Sequence, residues 1–193
     1  MFSQLRPAIV SLLLLTLITG VAYPLMVTGV SKVAFSEKAA GSVVRVNDKT
    51  IGSTLIGQSF TDPKYFWPRP SATSPQPYTG DAGSGSNLAQ TNPALLDQVK
   101  QRVAALQAAD PGNMSPVPIE LVTSSASGLD PEISPEAAEY QITRVARARG
   151  ISPDKLRGVV DGLTQDRTLG FLGEPRINVL QLNLALDAQQ GNN

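Results

Sequence analysis

The chain has 193 residues, 41% of them hydrophobic and 17% charged. That leaves room for one membrane span and one globular domain of about 150 residues, but not for a second full domain. The 16 Lys and Arg balance the 16 Asp and Glu, so the long-range positive field that draws nucleic acid onto a protein is missing. Histidine and cysteine are both absent, which excludes Ser-His-Asp and Cys-His nucleophiles, zinc-protease helices, Cys/His zinc cages and disulfides.

From Pro7 to Ser31 the 25 positions carry no charged side chain, and the run Ala8-Ile9-Val10-Ser11-Leu12-Leu13-Leu14-Leu15 continues through Ile18, Val21, Leu25, Met26 and Val30. At about 1.5 Å per residue this is roughly 37 Å of helix, against about 30 Å of bilayer hydrocarbon. The pattern predicts a tail over 1–6 and a transmembrane helix over 7–31. A cleaved signal peptide is the competing reading, with Arg6 as its basic start and Gly20-Val21-Ala22 as its small-x-small site. The apolar run continues past that site to Val30, which favours a retained span. Pro24 predicts a kink, best tolerated among neighbouring helices. Lys32, Lys38 and Arg45 outnumber Arg6, so the basic-residue count leans toward a cytoplasmic C-terminal domain; long domains, however, cross largely regardless of charge.

The remainder, 32–193, reads as a single soluble domain. Ser42–Val46 and Thr50–Gly57 are β-rich stretches flanking Asn47-Asp48-Lys49, a short hairpin. Residues 60–92 form a long Pro/Gly/Ser-rich loop, flexible around Gly80, Gly83 and Gly85. Helix starts follow at Asn92-Pro93, Ser134-Pro135 and Ser152-Pro153, each a side-chain acceptor before a proline suited to the first helical position. The first helix runs to about Ala109 with Leu95, Leu96, Val99, Val103 and Leu106 on one face. The second ends at Gly150, with Arg144, Arg147 and Arg149 at the negative end of its dipole as a solvated face. The third runs to about Gln165 with Leu156, Val159, Val160 and Leu163 inward, and Val179–Leu186 forms a last helix after Asn178. The fold class is α+β: one N-terminal transmembrane helix, then one soluble domain with a short β-hairpin and about four helices.

Several motifs suggest chemistry without completing it. Asp48-Lys49-Thr50-Ile51-Gly52-Ser53 nearly spells the phosphorylation site of P-type ATPases, but Ile51 interrupts it and a turn suffices. Ser152-Pro153-Asp154-Lys155 matches a Ser-x-x-Lys nucleophile motif without its companions, so Ser152 reads as a helix cap. The glycines at 80, 83 and 85 lack the Gly-Lys-Ser/Thr of a phosphate loop. Gln141 stands with Ala138, Ile142 and Val145 on an apolar helix face, where a boundary position explains it more simply than a buried amide.

Beyond these motifs the chain resembles the KdpC family of the potassium-transporting Kdp ATPase complex. The likeness begins with Leu5-Arg6-Pro7-Ala8 and Thr19–Pro24 and continues through Leu55–Phe60, Arg69–Ala72, Asn92-Pro93 and Val117–Thr123. Its most specific stretches are Ser125–Asp130, Gln141 with Arg144-Val145-Ala146, and Asn178–Asp187. Two departures stand out: Gly83-Ser84-Gly85-Ser86-Asn87 replaces the family's Ser-Gly-Gly-Ser-Asn, and Thr164-Gln165-Asp166 lacks a histidine common in relatives.

The resemblance implies a non-catalytic subunit of a P-type ATPase complex for potassium uptake in the bacterial plasma membrane. Its partners would be a channel-like potassium-selecting subunit, the ATPase subunit and a small stabilising subunit, alongside membrane lipid. It also implies a cytoplasmic N-terminus and an extracytoplasmic C-terminal domain. No cofactor of its own is implied; ATP would be engaged through the complex. One family-level role is a catalytic chaperone that raises the ATP affinity of the ATPase subunit, with Gln141 as a nucleotide contact. The other is a membrane-anchored binding module that docks on the potassium-selecting subunit with no effect on ATP binding.

Overall fold

The computed structural model describes residues 2–190, so Met1 of the expected tail and 191–193 of the expected soluble domain lie outside the described residues. The chain divides into two compact units, one up to Ile51 and one from Gly52.

The first unit is dominated by a continuous helical rod, Leu5–Ala34, long and apolar enough to cross a membrane. It comprises α1 (Leu5–Leu17), a π turn (Ile18–Ala22) and α2 (Tyr23–Ala34). No side chain along it is buried by protein, so its apolar surface is left for lipid or other helices. The rod outruns the charge-free stretch at both ends, because Arg6 and Lys32 are good helix formers that extend the hydrogen-bond ladder. Pro24 lacks an N–H and crowds the carbonyl four residues before it. The chain absorbs this in the π turn, where the Tyr23 N–H bonds to the Ile18 carbonyl five residues back.

After the short helix α3 (Ser36–Ala39) come β1 (Val43–Val46) and β2 (Lys49–Ser53), which form a two-stranded sheet. Asn47 (φ 50°) and Asp48 (φ 60°) make a two-residue turn with both φ values positive, the geometry that suits the twist of a hairpin. Lys49 therefore belongs to the strand rather than to the turn. Pairing stops at Ser53, whose hydroxyl accepts from the Leu55 N–H at 3.1 Å and starts a turn in place of the longer strand expected.

In the second unit, α4 (Pro93–Ala109), α5 (Pro135–Arg149), α6 (Pro153–Leu163) and α7 (Val179–Gln190) surround one core. All three cap expectations hold. The side chains of Asn92, Ser134 and Ser152 accept from the backbone N–H of Ala94, Ala137 and Lys155 at 2.9, 3.2 and 3.3 Å. Gly150 closes α5 in the left-handed region at φ 66°. Removing the α5 cap with Ser134→Ala should cost about 1 kcal/mol, read as a lowered thermal midpoint of the purified chain, because the Ala137 N–H loses its partner.

α5 lies at the centre of the core, with Ile142 and Val145 buried against Leu156 of α6, Leu182 and Leu186 of α7, and Phe66. The α4 stripe engages only toward its C-terminal end: Leu106 is buried and Val99 and Val103 are partly so, whereas Leu96 is exposed. α6 stops at Leu163, earlier than expected, because Thr164 turns extended and Gln165 exchanges backbone bonds with Arg176.

The sequence patterns miss a second β pair, β3 (Glu132–Ile133) antiparallel to β4 (Ile177–Asn178), since two residues per strand carry no alternation to read. The Asn178 side chain then accepts from the Gln181 N–H at 3.1 Å, starting α7.

The Pro/Gly/Ser-rich loop is more firmly held than its composition suggests. Ser71 Oγ donates to the Gly128 carbonyl at 2.7 Å, Thr73 Oγ1 donates to the Gln76 carbonyl at 2.6 Å, and the Ser84 N–H bonds to the Ser127 carbonyl at 2.7 Å. The expectation of a flexible loop around Gly83 and Gly85 is corrected by these bonds, since the segment is tied to residues 125–128.

Candidate functional site

The segment from Asp62 to Trp67 has no regular structure, yet Phe66 within it is completely buried, so its polar backbone needs partners other than a ladder. Two amide side chains supply them. Asn183 on α7 accepts from the Phe66 N–H at 2.9 Å and donates to the Phe66 carbonyl at 3.0 Å. Gln141 on α5 does the same for Trp67, accepting from its N–H at 2.8 Å and donating to its carbonyl at 3.1 Å. Consecutive residues are thus paired as a neighbouring strand would pair them, by side chains from two helices.

Gln141 makes two further bonds: Nε2 donates to the Ala137 carbonyl at 3.1 Å and Oε1 accepts from Arg144 Nη2 at 2.6 Å. A primary amide offers two N–H groups and two lone pairs, so Gln141 is fully used. With 1% of its surface exposed it is not the boundary residue expected from the sequence, and that expectation is corrected. The carboxamide tolerates burial because all four of its bonds are made. As placed, it offers no spare polar atom to a ligand, and a nucleotide contact through it would require the Trp67 clamp to open.

The solvated arginine face is corrected as well. Arg144 is buried, with Nη1 on the carbonyls of Pro63 and Tyr65 at 2.6 and 3.0 Å and its guanidinium carbon 4.2 Å from the centre of the Trp67 ring. Burial pulls its pKa down to about 10, against the weaker opposing pull of Asp110 and Asp62, so it remains charged at neutral pH. Arg149 is buried too, bonding through Nε to the Lys64 carbonyl at 2.6 Å and through Nη2 to Asp187 at 2.8 Å. The Tyr65 hydroxyl donates to the other Asp187 oxygen at 2.9 Å. Burial first, and then that bond, raise the Tyr65 pKa above its ordinary value. Only Arg147 keeps an exposed side chain, and it pairs with the buried carboxylate of Asp110.

Helical spacing makes this convergence possible: Ala137, Gln141 and Arg144 follow at i, i+4 and i+7 on α5, and Asn183 and Asp187 at i and i+4 on α7. Trp67, Arg149, Asn183 and Asp187 escape a reading that looks for catalytic types. The available signal is a polar residue inside an apolar helical run, as Asn183 is among Leu180, Leu182 and Leu186. Next to the clamp, Trp67 also lines an open, largely apolar cavity of about 410 Å³ with Phe60, Pro68, Pro70, Pro77 and Tyr78. Among the described residues no group of three or more Asp, Glu, His or Cys is placed to hold a metal ion. What the cluster does chemically is fasten one segment to two helices.

The family model for the c chain of K+-transporting ATPases, KdpC, matches residues 5–188. The chain belongs to this family. Potassium-transporting ATPase KdpC subunits of Variovorax paradoxus and Sorangium cellulosum are 60% and 59% identical to it, covering 97% of this chain and 97% and 98% of their own lengths. The KdpC subunit of Dechloromonas aromatica is 58% identical over 97% of this chain and 98% of its own. Membership thus takes in both the apolar rod and the clamp, and the one span-length helix among the described residues fits a single-pass subunit of a membrane-bound ATPase.

Proposed function

We propose that this chain is a non-catalytic accessory subunit of a potassium-uptake P-type ATPase complex in the bacterial plasma membrane. Its N-terminus is cytoplasmic and its second unit extracytoplasmic. It works beside a potassium-selecting subunit, the ATPase subunit and a small stabilising subunit, and it supports their assembly and activity. The family match from residue 5 to residue 188 carries this reading. The saturated clamp supports it, since Gln141 spends its whole hydrogen-bonding capacity on holding the fold.

It has no cofactor of its own in this reading, and ATP is engaged by the ATPase subunit. If the chain raises ATP affinity as a catalytic chaperone, an extracytoplasmic domain does so through its partners, as a coupling between distant sites. The second reading, a binding module that docks on the potassium-selecting subunit without altering ATP binding, is favoured by the open apolar cavity beside Trp67.

Two measurements test the proposal. Deleting the chain should impair growth at low potassium, with restoration by the intact chain; unimpaired growth without it removes the reading. Orientation is read with a single cysteine, since the natural chain has none. Ser125 is a poor site because its hydroxyl accepts from the Gly128 N–H at 2.9 Å, whereas Met114 is 92% exposed. Met114→Cys should react with a membrane-impermeant maleimide on intact cells whose outer membrane has been permeabilised. Reaction only after lysis would place the second unit in the cytoplasm and reopen a direct nucleotide contact.

A further inference from the structure

Between α6 and β4 the chain projects a small prong. Gln165 and Arg176 exchange backbone bonds of 2.8 and 3.0 Å at its base, and Thr168 and Leu172 exchange two of 2.9 Å near its tip. Arg167 and Glu174 close an ion pair of 2.5 Å across the stem. The tip is apolar and uncovered: Leu169 is 79% exposed, Phe171 68% and Leu172 49%. Leu169 also stands at φ 56°, beside Gly170 at φ 80°. A branched residue in that left-handed region costs about 1–2 kcal/mol that a glycine or asparagine would relieve. Neither the strain nor the exposure of these side chains is offset by any packing within the unit, and such a residue pair is what a docking tip requires.

The charge around the prong selects the kind of surface it meets. Arg167 is held by Glu174, and Arg176 by Glu132 at 3.0 Å, so neither arginine offers an uncompensated charge to anionic lipid headgroups. Exposed Asp166 leaves the base net negative, which an anionic bilayer would repel and a basic protein rim would attract. The bonded stem leaves little backbone freedom to lose on docking.

We propose that this prong seats Leu169, Phe171 and Leu172 in an apolar pocket with a basic rim on another subunit of the same ATPase complex. The inference rests on the accessory-subunit reading and names the contact by which this chain is held.

The test places photoreactive benzoylphenylalanine at Phe171 in the full chain and irradiates the complex purified from membranes. The expected result is an adduct on another subunit, mapped to an apolar pocket flanked by Lys or Arg. Adducts on lipid alone, the absence of any adduct, or a mapped site without basic neighbours would overturn it. In parallel, Phe171→Ser with Leu172→Ser should speed loss of the chain from the purified complex by about tenfold or more while its thermal midpoint stays unchanged. Unchanged retention overturns the proposal too. If the native chain does not co-purify with other subunits at all, it is the accessory-subunit reading that fails.

Discussion

Gly128→Ala should lower the stability of the second unit by about 4 kcal/mol, one of the largest effects expected from adding a single methyl group. Gly128 sits at φ 68°, where an L side chain is already strained. A Cβ built there would lie 2.5 Å from the Ser84 carbonyl oxygen and 2.9 Å from Thr73 Cγ2, and the first of these is backbone that cannot swing aside. Neighbouring bonds remove other ways to relax. The Gly128 N–H is held by Ser125 Oγ at 2.9 Å, its carbonyl by Ser71 Oγ at 2.7 Å, and the adjacent Leu129 carbonyl accepts from the Gly57 N–H at 2.9 Å. Three loop segments meet at this residue, so the whole 69–87 region should loosen with it. Thermal unfolding of the purified chain, with amide exchange of residues 71–85, measures both effects. Gly112→Ala is the control, because a Cβ there meets nothing within 4 Å and should change stability by less than about 0.5 kcal/mol. Equal midpoints for the two variants would refute the account.

The elements with strong local signals were legible in the sequence. Acceptor-proline pairs mark the starts of α4, α5 and α6, and Gly150 marks the end of α5, because a cap is decided by a few adjacent residues. The rod is readable from an absence of charge alone. The interior of the second unit was not, for reasons visible at particular residues. Arg144 and Arg149 look like the solvated last turn of a helix until the 62–67 segment, far away in sequence, lays its carbonyls over them. Gln141 looks like a boundary residue until Trp67 arrives with a free N–H and carbonyl. Glycine and serine in 80–87 read as freedom, yet the partner that removes it lies at 125–128. In each case the deciding contact joins residues too distant in sequence for any local pattern to register.

Gln141→Ala should cost about 2–4 kcal/mol and lower the thermal midpoint by about 10 °C, whereas Gln107→Ala on the exposed side of α4 should do neither. Truncation leaves the Trp67 N–H and carbonyl without their partners, takes one acceptor from a buried guanidinium, and opens a void beside Phe66. Gln141→Glu separates the two halves of the clamp. The carboxylate keeps an acceptor for the Trp67 N–H and for Arg144, but it sets a negative oxygen against the carbonyls of Trp67 and Ala137, where Nε2 now donates at 3.1 Å. It should therefore remain destabilising despite the added attraction to Arg144. These variants also discriminate between the proposed roles of the residue. If Gln141 acts through the clamp, the loss of potassium uptake across Ala, Glu and Asn183→Ala variants should track the loss of stability, because Asn183 holds the neighbouring residue by the same geometry. A nucleotide contact would break that correlation: Gln141→Ala would weaken the ATP affinity of the assembled complex while Asn183→Ala, equally destabilised, would leave it unchanged. Measuring ATP affinity and thermal midpoint on the same preparations decides between a latch that shapes the domain and a ligand that touches the nucleotide.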